Sequence, residues 1–175
     1  MNLKGKVAIV TGAGDGIGRG IAAHFAAHGA AVVAADINAK TGAAVVREIR
    51  RKKGKAVFVR CDVSREPQVK RAVREAVRRF GRLDVLVNNA GYALWKPIAD
   101  TTEREWKALT DVDLKGVYLF LRHAIPQMKR QGGGSIVNIA SVQATANTGN
   151  VGAYCAAKGG VLAMTHATAL DYGKD

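Results

Sequence analysis

The chain has 175 residues, 48% of them hydrophobic and 23% charged, a balance ordinary for a folded domain and unlike disordered or collagenous sequences. Lys and Arg number 27 against 14 Asp and Glu, a net charge of +13 that raises the question of a nucleic-acid or anionic-membrane partner. The two cysteines, Cys61 and Cys155, stand far apart without CxxC spacing, which argues against a disulfide framework or a zinc site and for a reducing, cytoplasmic setting.

The chain opens with lysines, but its apolar run over residues 7–10 is too short for the core of a signal peptide. No stretch approaches the roughly 18 apolar residues that a membrane helix needs, so no membrane association is expected. The first strand is read at residues 7–10, followed by TGAGDGIG at residues 11–18 and a helix starting near Gly16. Glycines at a strand-to-helix turn let the backbone bend tightly and approach a pyrophosphate, and the helix N-terminus offers free N–H groups to that anion. A second strand at residues 31–35 leads to Asp36, 18 residues past Gly18, close to the spacing expected of an acid that hydrogen-bonds the adenosine ribose. The Asp36 carboxylate would repel a 2′-phosphate, Asp15 adds a second negative charge, and Ile37 stands where a phosphate-binding cation would be useful. NAD is therefore preferred to NADP.

A helix near Asn38, a strand at 56–60, a helix near Ser64 and a strand at 85–88 continue the alternation expected of a parallel sheet covered on both faces. The basic runs at 47–55 and 69–82 fall within this pattern. Val69, Val73, Ala76, Val77 and Phe80 recur at helical spacing, so the arginines between them read as the solvated face of a packed helix, and nucleic acid is not expected as a partner. Thr102 with Glu105 forms a capping box ahead of a long helix that Pro126 should kink or help to end. A fifth strand at 135–139 precedes a last helix near Gly152, with Gly173 as its cap. On that helix Tyr154 and Lys158 lie four apart, on one face, which by itself fits an ordinary amphipathic pair. His24 and His28 share the spacing of a metal pair but lack a third ligand, so no metal site is expected.

TGAGDGIG, CDV (61–63), NNAG (88–91), Ser141 and YCAAK, in this order, resemble the short-chain dehydrogenase/reductase family from residue 5 onward. The resemblance implies one domain over residues 1–175, a three-layer αβα Rossmann fold with parallel sheet order 3-2-1-4-5. It further implies interconversion of a secondary alcohol and a ketone, with a small-molecule substrate and a homodimer or homotetramer. Cofactor-binding positions carried over are Gly12, Asp15, Gly16, Ile17, Gly18, Asp36 and Ile37, then Asp62 and Val63 flanking the adenine, and Asn89, Ala90 and Gly91 along the adenosine half. In the family a Tyr-x-x-x-Lys helix faces the nicotinamide and a serine 13 residues before the tyrosine completes the site, as Ser141 precedes Tyr154 here. Tyr154 would exchange a proton with the substrate oxygen, Lys158 would favour the phenolate and hold the nicotinamide ribose, and Ser141 would hydrogen-bond the reacting oxygen. Ser141 has no GxSxG elbow around it, and Cys155 has no paired histidine, so neither reads as a nucleophile. Tyr92, Trp95 and Gln143 follow strand ends and are candidate substrate contacts.

Two departures stand out. Family members carry Asn where this chain has Asp113, at a position that supports proton relay to the lysine; the exchange removes an amide donor and adds a charge that should tune the relay. Family members also continue for roughly 70 further residues, including the last strands and the substrate lid. Their absence here leaves the fifth strand with an open edge and suggests, as the alternative reading, a catalytically impaired dinucleotide-binding fragment or interaction domain.

Overall fold

The computed structural model describes residues 2–174. Five strands, β1 (Val7–Thr11), β2 (Ala31–Asp36), β3 (Lys55–Arg60), β4 (Val85–Asn88) and β5 (Ser135–Asn138), form one parallel sheet in the order β3-β2-β1-β4-β5. Helices α1 (Gly16–Ala27), α2 (Ala39–Arg51), α3 (Glu66–Phe80), α4 (Glu103–Thr110), α5 (Gly116–Arg130) and α6 (Gly152–Tyr172) connect and flank them. This is the expected Rossmann arrangement, and the order of the sheet reverses at β1. Parallel strands joined by crossover helices are buried on both faces, which explains why β1 and β2 are runs of Val, Ile and Ala rather than alternating patterns.

The odd and even positions of β1 face different layers. Ile9, with Val33 and Leu86, packs against Val69, Val73 and Ala76 of α3 and Leu119, Phe120 and Ala124 of α5. Val10, with Val32 and Val87, packs against Ala22 and Ala26 of α1 and Val45, Val46 and Ile49 of α2. Each such aliphatic side chain taken fully out of water contributes about 1.5–3 kcal/mol. The α3 arginines lie outward, as the sequence spacing predicts, while Val69, Ala72, Val73 and Ala76 are buried. α6 packs beside α5 through Val161, Val117 and Leu121.

Some boundaries differ from the sequence expectation. α3 begins at Glu66 rather than Ser64, because Asp62 accepts from both the N–H and the hydroxyl of Ser64 and holds it in a turn. The long helix expected from Thr102 starts as predicted, with Thr102 and Glu105 capping each other reciprocally, but is interrupted by a π-helical turn at Asp111–Lys115. Pro126 does not end α5, which runs on to Arg130. Gly173 follows α6 but keeps a right-handed conformation (φ −65°) rather than the left-handed cap that favours glycine. Among the described residues β5 pairs only with β4, and Val137 on it is 44% exposed.

Candidate functional site

The sheet reversal separates the ends of β1 and β4, and a cleft of about 710 Å³ opens there. Its floor begins at the turn after β1. Gly12 has φ +62°, and a Cβ on it would lie 2.9 Å from Asn89 Nδ2. Gly18 faces away from the cleft and into the fold: a Cβ there would come within 2.1 Å of the Gly12 carbonyl oxygen. It allows α1 to pack against the turn and, unlike Gly12 and Gly16, is not part of the cleft wall. Asp15 caps α1, its Oδ1 accepting from the Gly16 N–H at 2.8 Å. It thereby occupies one of the helix-terminal donors and puts a carboxylate at the positive end of the helix dipole. Asp36, at the end of β2, accepts from Gly14 N–H through Oδ2 (2.7 Å) and from Asn38 N–H through Oδ1 (2.8 Å). A carboxylate held by two backbone donors is fixed in orientation, with lone pairs left for a ligand in the cleft that it lines.

Ile17 and Ile37 are exposed on the rim, and Asp62 and Val63 line the cleft beyond β3. Cys61 lines it too, but burial pushes its thiol up to about 12, which makes it unreactive. Asn89, Ala90 and Gly91 form the facing wall. Thr11, which was not among the sequence candidates, organises that wall: its Oγ1 accepts from Asn89 N–H (2.8 Å) and Ala90 N–H (2.9 Å) and donates to the Val87 carbonyl (3.3 Å). Asn89 Nδ2 donates in turn to the Thr11 carbonyl at 2.9 Å.

At the other end of the cleft stand Tyr154 and Lys158, two and six residues into α6. The ammonium lies 5.6 Å from the centre of the Tyr154 ring and donates to the Ile139 carbonyl at 3.1 Å. Lys158 is 4% exposed and Asp113 is 0% exposed, with 3.2 Å between Nζ and Oδ2. That contact lacks hydrogen-bond geometry and is ionic, whereas Asp113 Oδ1 accepts a hydrogen bond from Tyr92 N–H at 3.0 Å. Burial pushes the Asp113 carboxyl above the usual carboxylate range, against the pull of the Lys158 charge and the Tyr92 N–H. The π-helical turn swings Asp113 inward beneath Gly91, where a Cβ would sit 2.5 Å from Asp113 Oδ2. Asp113 is thus sealed behind Gly91 and does not line the cleft, although its partner Lys158 does.

Ser141 lies just past β5, next to the lining residue Ala140, with Oγ accepting from Gln143 N–H at 3.2 Å. It stands beside the main cleft rather than in its wall. Asn138, also outside the sequence candidates, ties this end together by accepting from Asn88 Nδ2 (2.8 Å) and donating to Thr165 Oγ1 on α6 (2.9 Å). Of the candidate substrate contacts, Tyr92 lines the cleft, Trp95 is exposed nearby in sequence, and the Gln143 carboxamide is engaged with Thr148. Among the described residues no helix is long and apolar enough to cross a membrane.

A glycine-walled cleft at the sheet reversal, with a Tyr-x-x-x-Lys helix at one end, defines a class that comparison with known proteins identifies. The family model "short chain dehydrogenase" matches residues 6–175. The chain is 39% identical over 172 residues to an uncharacterized oxidoreductase of Thermotoga maritima, spanning 98% of this chain and 68% of that protein. It is 42% identical over 168 residues to L-fucose dehydrogenase of Oryctolagus cuniculus, covering 95% of this chain and 57% of the relative. A solved structure of 7α-hydroxysteroid dehydrogenase, in complex with NADH and 7-oxo glycochenodeoxycholic acid, superposes with a TM-score of 0.95 at 35% identity, over 99% of this chain and 68% of that one. The chain belongs to the short-chain dehydrogenase family of oxidoreductases.

Proposed function

We propose that the protein is an NAD-dependent oxidoreductase that interconverts a secondary alcohol and a ketone. The observation that carries this reading is the single cleft joining the Gly12–Gly16 turn and Asp36 at one end to Tyr154 and Lys158 at the other. Its residues suit a dinucleotide. Gly12 leaves the turn without a side chain, α1 begins there with backbone donors, and Asp36 stands ready to accept from ribose hydroxyls. All of these line the cleft: Asp62 and Val63 would flank the adenine, Asn89, Ala90 and Gly91 would lie along the adenosine half, and Ile17 and Ile37 would form the rim. When bound, NAD supplies the hydride acceptor.

The chain's own groups handle the proton and the orientation of substrate. Ser141 Oγ already accepts from a backbone N–H, so its O–H is free to donate to the reacting oxygen. Tyr154 exchanges the proton with that oxygen. Lys158, held by the Ile139 carbonyl and Asp113, presents its charge beside the Tyr154 ring and would hold the ribose of a bound cofactor. Asp113 acts from behind Gly91 as a buried counter-ion to Lys158, in place of the neutral relay side chain usual at this position. Members of the family generally form oligomers, and a homodimer or homotetramer is the proposed state of this chain.

Titration with NADH and NADPH, followed by cofactor fluorescence, tests the cofactor assignment. The Asp15 and Asp36 carboxylates would face a 2′-phosphate with no cation among the described residues of the cleft wall at that end, so NADPH should bind at least about tenfold more weakly. Equal or tighter NADPH binding would overturn the NAD assignment. NAD-linked oxidation across a panel of secondary alcohols tests the reaction.

A further inference from the structure

Ser141 and Tyr154 belong to different elements, and the chain between them makes an exposed excursion over residues 145–150. Gln143 draws that excursion back. Its Nε2 donates to Thr148 Oγ1 at 3.0 Å and its Oε1 accepts from Thr148 N–H at 2.9 Å, a two-point clasp on a single residue. The same Oε1 lies 3.8 Å from Cys155 Sγ, immediately beside Tyr154 in α6. Gln143 also gives its backbone N–H to Ser141 Oγ. One residue therefore touches the candidate serine, the excursion and the neighbour of the candidate tyrosine. The far end of the excursion is held separately. Lys96 N–H donates to the Asn150 carbonyl at 2.6 Å, where Asn150 adopts φ +62°, and Lys96 Nζ bonds both carboxylate oxygens of Glu105.

We infer that Gln143 is a positioning residue: its clasp on Thr148 sets how Ser141 and Tyr154 stand relative to each other and keeps the Ser141 hydroxyl oriented as a donor. A clasped carboxamide, half-buried and outside the cleft wall, serves the scaffold rather than the substrate. The catalytic consequence rests on the alcohol–ketone reading, whereas the clasp itself can be measured without cofactor or substrate.

The test uses the full chain with Gln143→Ala and Gln143→Glu, the latter keeping an acceptor for Thr148 N–H but losing the donor to Thr148 Oγ1. Iodoacetamide reports the clasp through Cys155, because Cys61 is 2% exposed and its thiol is pushed up to about 12. Gln143→Ala should raise the alkylation rate of Cys155 and the amide hydrogen exchange of residues 145–150 by about tenfold, the scale of one or two lost hydrogen bonds, with Gln143→Glu in between. kcat for the best alcohol of the panel should fall about tenfold to a hundredfold in Gln143→Ala, with NADH affinity unchanged. Alkylation and exchange within twofold of the native rates would overturn the clasp. An opened clasp with unchanged kcat would overturn the positioning role. A native chain that turns over no alcohol refutes the proposed function, and the alkylation and exchange rates still decide the clasp. Thr148→Val, which alters only the exposed partner, should move the same readouts in the same direction and serves if Gln143→Ala fails to fold.

Discussion

Removing Asp113 tests the physical account of the site most directly. Two unit charges 3.2 Å apart attract by about 5 kcal/mol at an effective dielectric of about 20, while taking each ion out of water costs several kcal/mol. Burial wins for the carboxylate itself, since its pKa is raised despite the neighbouring ammonium. Asp113→Ala leaves a 4% exposed lysine with only the Ile139 carbonyl and leaves Tyr92 N–H without its acceptor, so a loss of about 3–5 kcal/mol is expected. Asp113→Asn keeps an acceptor and should lose only about 1–3 kcal/mol at neutral pH. The pH dependence follows from the raised pKa. Between the ordinary carboxylate value of about 3.9 and the raised value, the native state binds more protons at Asp113 than the unfolded chain does, so this group's contribution to stability falls as pH rises through that window. Urea melts of the native chain and of Asp113→Asn at a series of pH values isolate the effect of the buried pair, because titrating groups that do not touch Asp113 cancel in the difference. The native stability minus that of Asp113→Asn should decrease as pH rises through the window. A difference that is flat, or that rises with pH, would refute the picture of a carboxylate dominated by its burial.

Other outcomes follow from the same geometry. Gly18→Ala places a Cβ where the Gly12 carbonyl oxygen already sits and should abolish saturable NADH binding, whereas Gly20→Ala, which meets open space, should leave it unchanged; fluorescence titration compares the two. Tyr154→Phe should reduce kcat by about 10²–10⁴ while leaving the NADH Kd within twofold, read by steady-state kinetics and binding together. Hydrogen bonds from Lys96 and Thr102 hold the Glu105 carboxyl down at about 2, well below the usual range. Its contribution to stability is present above the unfolded value of about 4.3 and is lost as pH falls toward about 2, so melts of Glu105→Gln should show a shallower acid dependence than the native chain.

How far the site can be read from sequence depends on the range of the interactions that make it. The glycine turn, the capping box and the Tyr154–Lys158 spacing are local, set by backbone sterics and helical period within a few residues, and they appear where the pattern places them. The parallel strands are nearly as legible, because burial on both faces forces continuous Val, Ile and Ala runs. Thr11 and Asn138 escape such reading because their partners are far along the chain: Thr11 meets Asn89 78 positions away, and Asn138 meets Asn88 50 positions away. Asp113 shows the boundary most clearly. Its unusual identity is visible in DVDLKG, but the helical pattern from Thr102 toward Pro126 gives no sign of the π-helical turn that directs the carboxylate inward. The resemblance reads it as a relay group whose charge tunes the lysine, and the structure buries it beneath Gly91 with Oδ2 3.2 Å from Lys158 Nζ. One local shift of helical register thus decides where the carboxylate of this motif lies. That shift also explains why Gly91 must be glycine: any side chain would be driven into the pair that it covers.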